Sequence, residues 1–153
     1  MGRSTSTSRV SARGIIIGAF ADVLAAVVLG VPFSLYTLSQ IDPGHHLATS
    51  QLAAASTAAI HAHPLVRAAE LLTGLLAAVF GGYTAGLFAK HDEVLNGALS
   101  CWLSLVLGSF TLILGNSPDS FAITFLMLIA SPFCGMLGGY LRIRRKESLA
   151  QVA

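Results

Sequence analysis

Charge is what this sequence has least of. Only 10% of its 153 residues are Asp, Glu, Lys or Arg, where a soluble domain carries about 25%. Nine basic and seven acidic side chains cannot clothe a water-facing surface of this length, which excludes a soluble enzyme and a charged, disordered regulator. Cysteine is nearly as scarce. Cys101 and Cys134 fall in separate apolar runs without CxxC or Cys/His spacing, so they read as small hydrophobes rather than a disulfide scaffold or a zinc pair. No basic stretch interleaves with aromatics, and nucleic-acid binding has no footing. HExxH, GxSxG and Walker motifs are absent as well, and the chemistry they carry goes with them. The expectation is a protein with no catalytic residues, no metal and no cofactor.

What is present is 54% hydrophobic residues, arranged in long runs. A bilayer core of roughly 30 Å takes about 20 mostly apolar residues in a helix. Four stretches meet that length: residues 14–38, 65–89, 94–114 and 121–143. Each is bounded by turn-forming or charged residues, such as Asp42-Pro43-Gly44, Lys90-His91-Asp92-Glu93 and Asn116-Ser117-Pro118-Asp119. A membrane span must satisfy its own backbone, so helices are expected. The fold class is therefore an all-α, integral membrane four-helix bundle over residues 14–143, with a disordered tail at 1–13 and a second tail at 144–153. Short connections make successive helices antiparallel neighbours. The one long connection, Ile41 to His63, carries an Ala-rich stretch from Leu47 to Ile60 that is expected to form a short interfacial helix.

Positive charge sets the orientation. Arg3, Arg9, Arg13, Lys90, Arg142, Arg144, Arg145 and Lys146 fall on one side of the four-span arrangement, and only Arg67 on the other. The positive-inside rule places both termini and the second connection in the cytoplasm. The Ala19-Phe20-Ala21 triplet has the look of a signal cleavage site. However, only about half a dozen apolar residues precede it, short of the roughly 7–15 required.

Helices in lipid associate by close packing, and small residues mark their contact faces. Small or polar residues recur every four positions on each span: Gly14, Gly18, Asp22, Ala26, Gly30 and Ser34; Glu70, Gly74, Ala78, Gly82 and Gly86; Asn96, Ser100, Ser104 and Gly108; Ser131, Gly135 and Gly139. The glycines of these stripes, Gly14, Gly18, Gly74, Gly82, Gly86, Gly135 and Gly139, are the expected packing positions. There is also an internal echo. Phe80-Gly81-Gly82-Tyr83 matches Leu137-Gly138-Gly139-Tyr140, a pattern that two repeated helical hairpins would leave.

The run Gly81-Gly82-Tyr83-Thr84-Ala85-Gly86, then Ala89-Lys90, then Glu93-Val94-Leu95-Asn96-Gly97-Ala98-Leu99 resembles a family of small bacterial inner-membrane proteins. Its members carry GGYxA at the end of one helix, a short charged turn, and a small-residue start to the next. They are mostly uncharacterised. The resemblance implies a four-helix fold in a bacterial inner membrane; it assigns no activity and no functional residues.

Asp22 is the residue to watch. It lies roughly 12 Å along the helix from Gly14, where a charged aspartate costs at least ~2.5–3.5 kcal/mol and normally faces a bundle interior. At the same depth the other spans place Gly81-Gly82 with Tyr83 nearby, Cys101-Trp102, and Cys134. Asp22 is expected to accept a hydrogen bond from Tyr83 or Trp102 across a glycine-lined gap. Either it pins helix register as a neutral acid, or it binds a proton or cation. Glu70 lies roughly 16 Å away in depth, too far to share a water with Asp22, and its i, i+3 spacing pairs it with Arg67 near the headgroups. His45, His46, His61 and His63 lie on the outer side with Asp42 as the only acid in that loop, and a solvated loop outweighs a metal site. The expected role is that of an accessory or structural subunit acting through helix, partner or lipid contacts, with a second copy as one such partner. The alternative is proton- or cation-coupled transport with Asp22 near the path.

Overall fold

A computed structural model describes residues 10–40, 49–89, 91–114 and 121–152. Among the described residues there are six helices: α1 (Ala12–Gln40), α2 (Thr49–His61), α3 (Pro64–Phe88), α4 (Glu93–Ser100), α5 (Trp102–Ile113) and α6 (Phe121–Val152). No strand occurs among the described residues. Four helical stretches, with α4 and α5 together making the third, are long and apolar enough to cross a membrane. The chain is an all-α bundle of the multi-pass membrane type. The short helix expected in the long connection is α2, and the expected second tail from residue 144 instead continues α6 as helix to Val152. The expected disordered tail lies, up to residue 9, outside the described residues; its last two positions, Ala12 and Arg13, belong to α1.

Local chemistry sets the helix ends. Ser11 Oγ accepts the Gly14 N–H at 3.2 Å, occupying one of the donors that a helix start leaves without an intrahelical partner. Pro64 opens α3, at a position where its missing N–H costs nothing. The third span, expected to be continuous, is broken at Cys101. Ser100 Oγ donates to the Gly97 carbonyl at 2.7 Å, the acceptor that the Cys101 N–H would take in a regular helix. That N–H turns instead to Ala98 O at 3.4 Å. A serine hydroxyl competing for the backbone in this way weakens a helix, and α5, unlike α4, makes no contact with α3 among the described residues.

Burial is the reverse of that in a soluble protein. The buried apolar side chains are Ala19, Ala77, Ala78, Ala85 and Cys101, while Phe20, Leu24, Phe110, Ile113, Leu126 and Phe133 are exposed. In water such a surface would aggregate; in lipid it is solvated, and small residues let backbones approach. The closest approaches gather at the end of the bundle that carries Ser11, Ala89 and Arg142, called here the basic end. A Cβ on Gly18 would lie 2.8 Å from Gly81 O and from Ser100 Cβ, joining α1, α3 and α4. Gly82 of α3 and Gly97 of α4 both abut the carbonyl of Gly135 in α6, and Gly139 abuts Glu93 O.

Two expectations need correction. A Cβ placed on Gly74 would meet nothing within 4 Å, and the same holds for Gly30; both lie where the helices have already spread apart. The echo also packs unequally. Gly81 faces α1 and Gly82 faces α6, whereas Gly138 faces α3 and Gly139 faces α4. Moreover α3 touches α1, α4 and α6, while α1 and α6 do not meet among the described residues. Gly97 and Gly138, outside the expected packing set, belong to the contact.

Gly135→Ala is expected to lower stability by about 1–3 kcal/mol, because the methyl meets backbone that cannot step aside. Gly74→Ala should be neutral or slightly stabilising, since helix propensity favours alanine. Thermal unfolding of both variants in detergent checks the contrast.

Candidate functional site

The polar residues of the basic end are held by the backbone. Asn96, fully buried, accepts the Ser11 N–H on Oδ1 at 2.7 Å. Its Nδ2 donates to His91 O at 2.8 Å and Asp92 O at 3.0 Å. One side chain thus ties the start of α1 to the turn before α4, where Asp92 adopts a left-handed conformation (φ 50°) that aspartate tolerates better than most residues.

Asp22 lies deeper, 3% exposed. Its backbone presses on α3, where a Cβ on Gly81 would come within 2.6 Å of Asp22 Cβ. The glycine-lined contact is as expected; the hydrogen-bond partner is not. Ser104 of α5 donates its hydroxyl to Asp22 Oδ2 at 2.5 Å. Tyr83 instead accepts a hydrogen bond from Arg145 at 2.9 Å, and Trp102, 44% exposed, faces outward. The difference has a simple cause. The third span is interrupted at Cys101, and beyond the break it is Ser104 rather than Trp102 that faces α1. Ser104 belongs to the four-residue stripe of that span, and the stripe is the signal that points to it.

Beyond Ser104 the bundle opens. A cavity of about 240 Å³ lies between α3, α5 and α6, lined by Glu70, Gly74, Ser104, Gly108, Thr124 and Ser131 among others. A second, of about 410 Å³, lies between α1, α2 and α3 and is lined by Ser34, Thr37, Ser56 and again Glu70. At the first of these, α5 has lost contact with α3 after Cys101, and α6 carries Pro132, which has no N–H to donate to its own helix. Cys101 Sγ donates to Ser131 O at 3.4 Å across the hinge.

Glu70 forms the expected ion pair with Arg67 one turn earlier. It does not meet Asp22, in agreement with their difference in depth. Even so, the cavity wall that begins at Glu70 ends at Ser104, the donor to Asp22. His45 and His46 lie outside the described residues. His63 sits edge-on to Tyr36, ring centroids 6.1 Å apart, and no group of three metal-ligating side chains occurs among the described residues. No protein-family profile, curated protein or solved structure matches the chain.

Ser104→Ala should destabilise the fold by about 1–3 kcal/mol by leaving the buried carboxyl without its donor. Asp22→Leu should cost at least as much, because it orphans the hydroxyl and crowds Gly81. Asp22→Asn keeps an acceptor for Ser104 and should unfold near the wild-type temperature. Tyr83→Phe should leave the Asp22 contact intact, and unfolding midpoints of the four variants decide the pairing.

Proposed function

We propose that this chain is an accessory or structural subunit of a bacterial inner membrane, with both ends and the turn after α3 in the cytoplasm. It acts through helix, partner or lipid contacts and performs no catalysis. The supporting observation is the division of the bundle. One end is locked by backbone contacts, while at the other a Cβ on the exposed Gly74 would meet nothing within 4 Å, a small surface on which a further helix can pack closely. The Gly-Gly-Tyr-x-Ala run supports membership of the small inner-membrane family it resembles, and the distribution of basic residues supports the orientation.

Single cysteines test this. Gly74→Cys, in membranes under oxidising conditions, is expected to give a disulfide-linked homodimer or a mixed adduct with a larger protein; only unlinked monomer counts against a helical partner on this face. A membrane-impermeant thiol reagent applied to intact spheroplasts should label His61→Cys and spare Ser148→Cys. The opposite pattern would invert the orientation.

A second reading, proton- or cation-coupled transport, draws on one specific observation: Glu70 lines both cavities, and Ser104, which holds Asp22, lines the inner of them. The proposed path runs from the α2 end past Ser34, Thr37 and Ser56 to Glu70 and on toward Asp22. In proteoliposomes with a pH-sensitive dye inside, wild type should then show flux that Asp22→Asn abolishes and Glu70→Gln slows. Absence of flux from well-inserted wild type would retire this reading and leave Asp22 as a packing residue.

A further inference from the structure

The two Gly-Gly-Tyr echoes end on tyrosines that do the same thing. Arg145 Nη1 donates to Tyr83 OH at 2.9 Å, and Arg144 Nε donates to Tyr140 OH at 2.7 Å, with its guanidinium carbon 5.6 Å from the Tyr140 ring centre. Two consecutive arginines of α6 are therefore each fastened to a phenol, one on α3 and one on their own helix. The neighbouring cations are placed as well. Arg142 packs its Cβ 3.3 Å from where a Gly86 Cβ would stand, Lys146 pairs with Glu93 at 3.6 Å, and Arg13 lies at the same end on α1. The carboxylates nearby are Glu93, engaged by Lys146, and the exposed Asp92 and Glu147. Cations outnumber acids on this surface.

A guanidinium has five N–H donors, and each phenol occupies one. Glu147, three residues on, is the acid that acts on Arg144; beyond the two phenols neither arginine makes a hydrogen bond or a close ion pair among the described residues. Both side chains are exposed, and they sit where α6 passes from apolar Leu137 and Leu141 into Arg144-Arg145-Lys146. That is the headgroup level of a span, where tyrosine is also enriched. A fixed guanidinium loses less freedom on binding than a mobile one and offers paired donors to phosphate oxygens. We propose that the basic end is a binding site for the phosphate headgroup of an anionic phospholipid, gripped by Arg144 and Arg145 in the orientation set by Tyr140 and Tyr83. The proposal needs the helices to span a bilayer; it depends neither on which side the basic end faces nor on the choice between subunit and transporter.

The test uses the full chain in symmetric phosphatidylcholine vesicles, so that insertion direction is immaterial, with spin-labelled phosphatidylglycerol or phosphatidylcholine as probe. Wild type should hold the anionic probe several-fold more strongly. Arg144→Gln with Arg145→Gln should cut that preference about fivefold per arginine, the effect of one basic residue at an anionic surface. Tyr83→Phe with Tyr140→Phe keeps every charge and should cut it by a smaller factor, about twofold. Equal binding of both probes by wild type, or an undiminished preference in the glutamine variant, overturns the site. Full preference in the phenylalanine variant overturns the role of the tyrosines. Release of the probe by inorganic phosphate beyond that by matched chloride assigns the arginines to a free anion and overturns the lipid assignment. Circular dichroism of the variants shows that the helices are retained.

Discussion

The contact on which the rest of this structure depends is the approach of backbone to backbone where Gly97 of α4 and Gly82 of α3 meet the Gly135 carbonyl of α6. Between helices in lipid there is no water to expel, so attraction must come from dispersion at short range and from polar contacts. Dispersion falls away within an ångström, and only residues without side chains let three helices share one point. The large apolar residues are consequently turned outward, an arrangement that follows from the solvent rather than from any special feature of the fold.

Locking one end leaves the other to diverge. Ser100 takes the carbonyl that would have continued its helix, α5 swings away from α3, and Pro132 leaves a second weak point opposite. The cavity between α3, α5 and α6 lies in the wedge that results. Asp22 stands at the boundary, its backbone in the close-packed half against Gly81 and its carboxyl tied to Ser104 at the mouth of the open half. A carboxyl in the interior of a membrane bundle is costly unless it is hydrogen-bonded, and the serine meets that requirement with a single contact. The same position that makes Asp22 a strut also puts it within one side chain of a cavity. The structural and transport readings are therefore two consequences of one placement.

Much of this is legible in the sequence because it depends on local pattern. The apolar runs mark the spans, the turn residues mark their ends, and the alanine-rich stretch before His61 marks α2. The i, i+3 spacing identifies the Arg67–Glu70 pair. The four-residue stripes identify Gly14, Gly18, Gly82, Gly86, Gly135 and Gly139 as packing positions. Gly74 departs from its stripe because a stripe identifies a face without saying how far along it two helices remain together. The partner of Asp22 escapes for a related reason: depth counted in residues does not foresee the break of the third span at Cys101, beyond which Ser104 faces α1.

By itself, then, the sequence determined the solvent, the number of spans and the faces on which small residues lie, since each of these follows from hydropathy and a period of 3.6 residues. Only the tertiary structure decided which stripes close and which stay open, that the third span bends at Cys101, that Ser104 serves Asp22, and that Tyr83 and Tyr140 hold Arg145 and Arg144. The physical reason is that hydropathy is a property of single residues summed along a chain. The depth at which two helices meet, by contrast, depends on crossing angles set by a few backbone contacts between residues far apart in sequence.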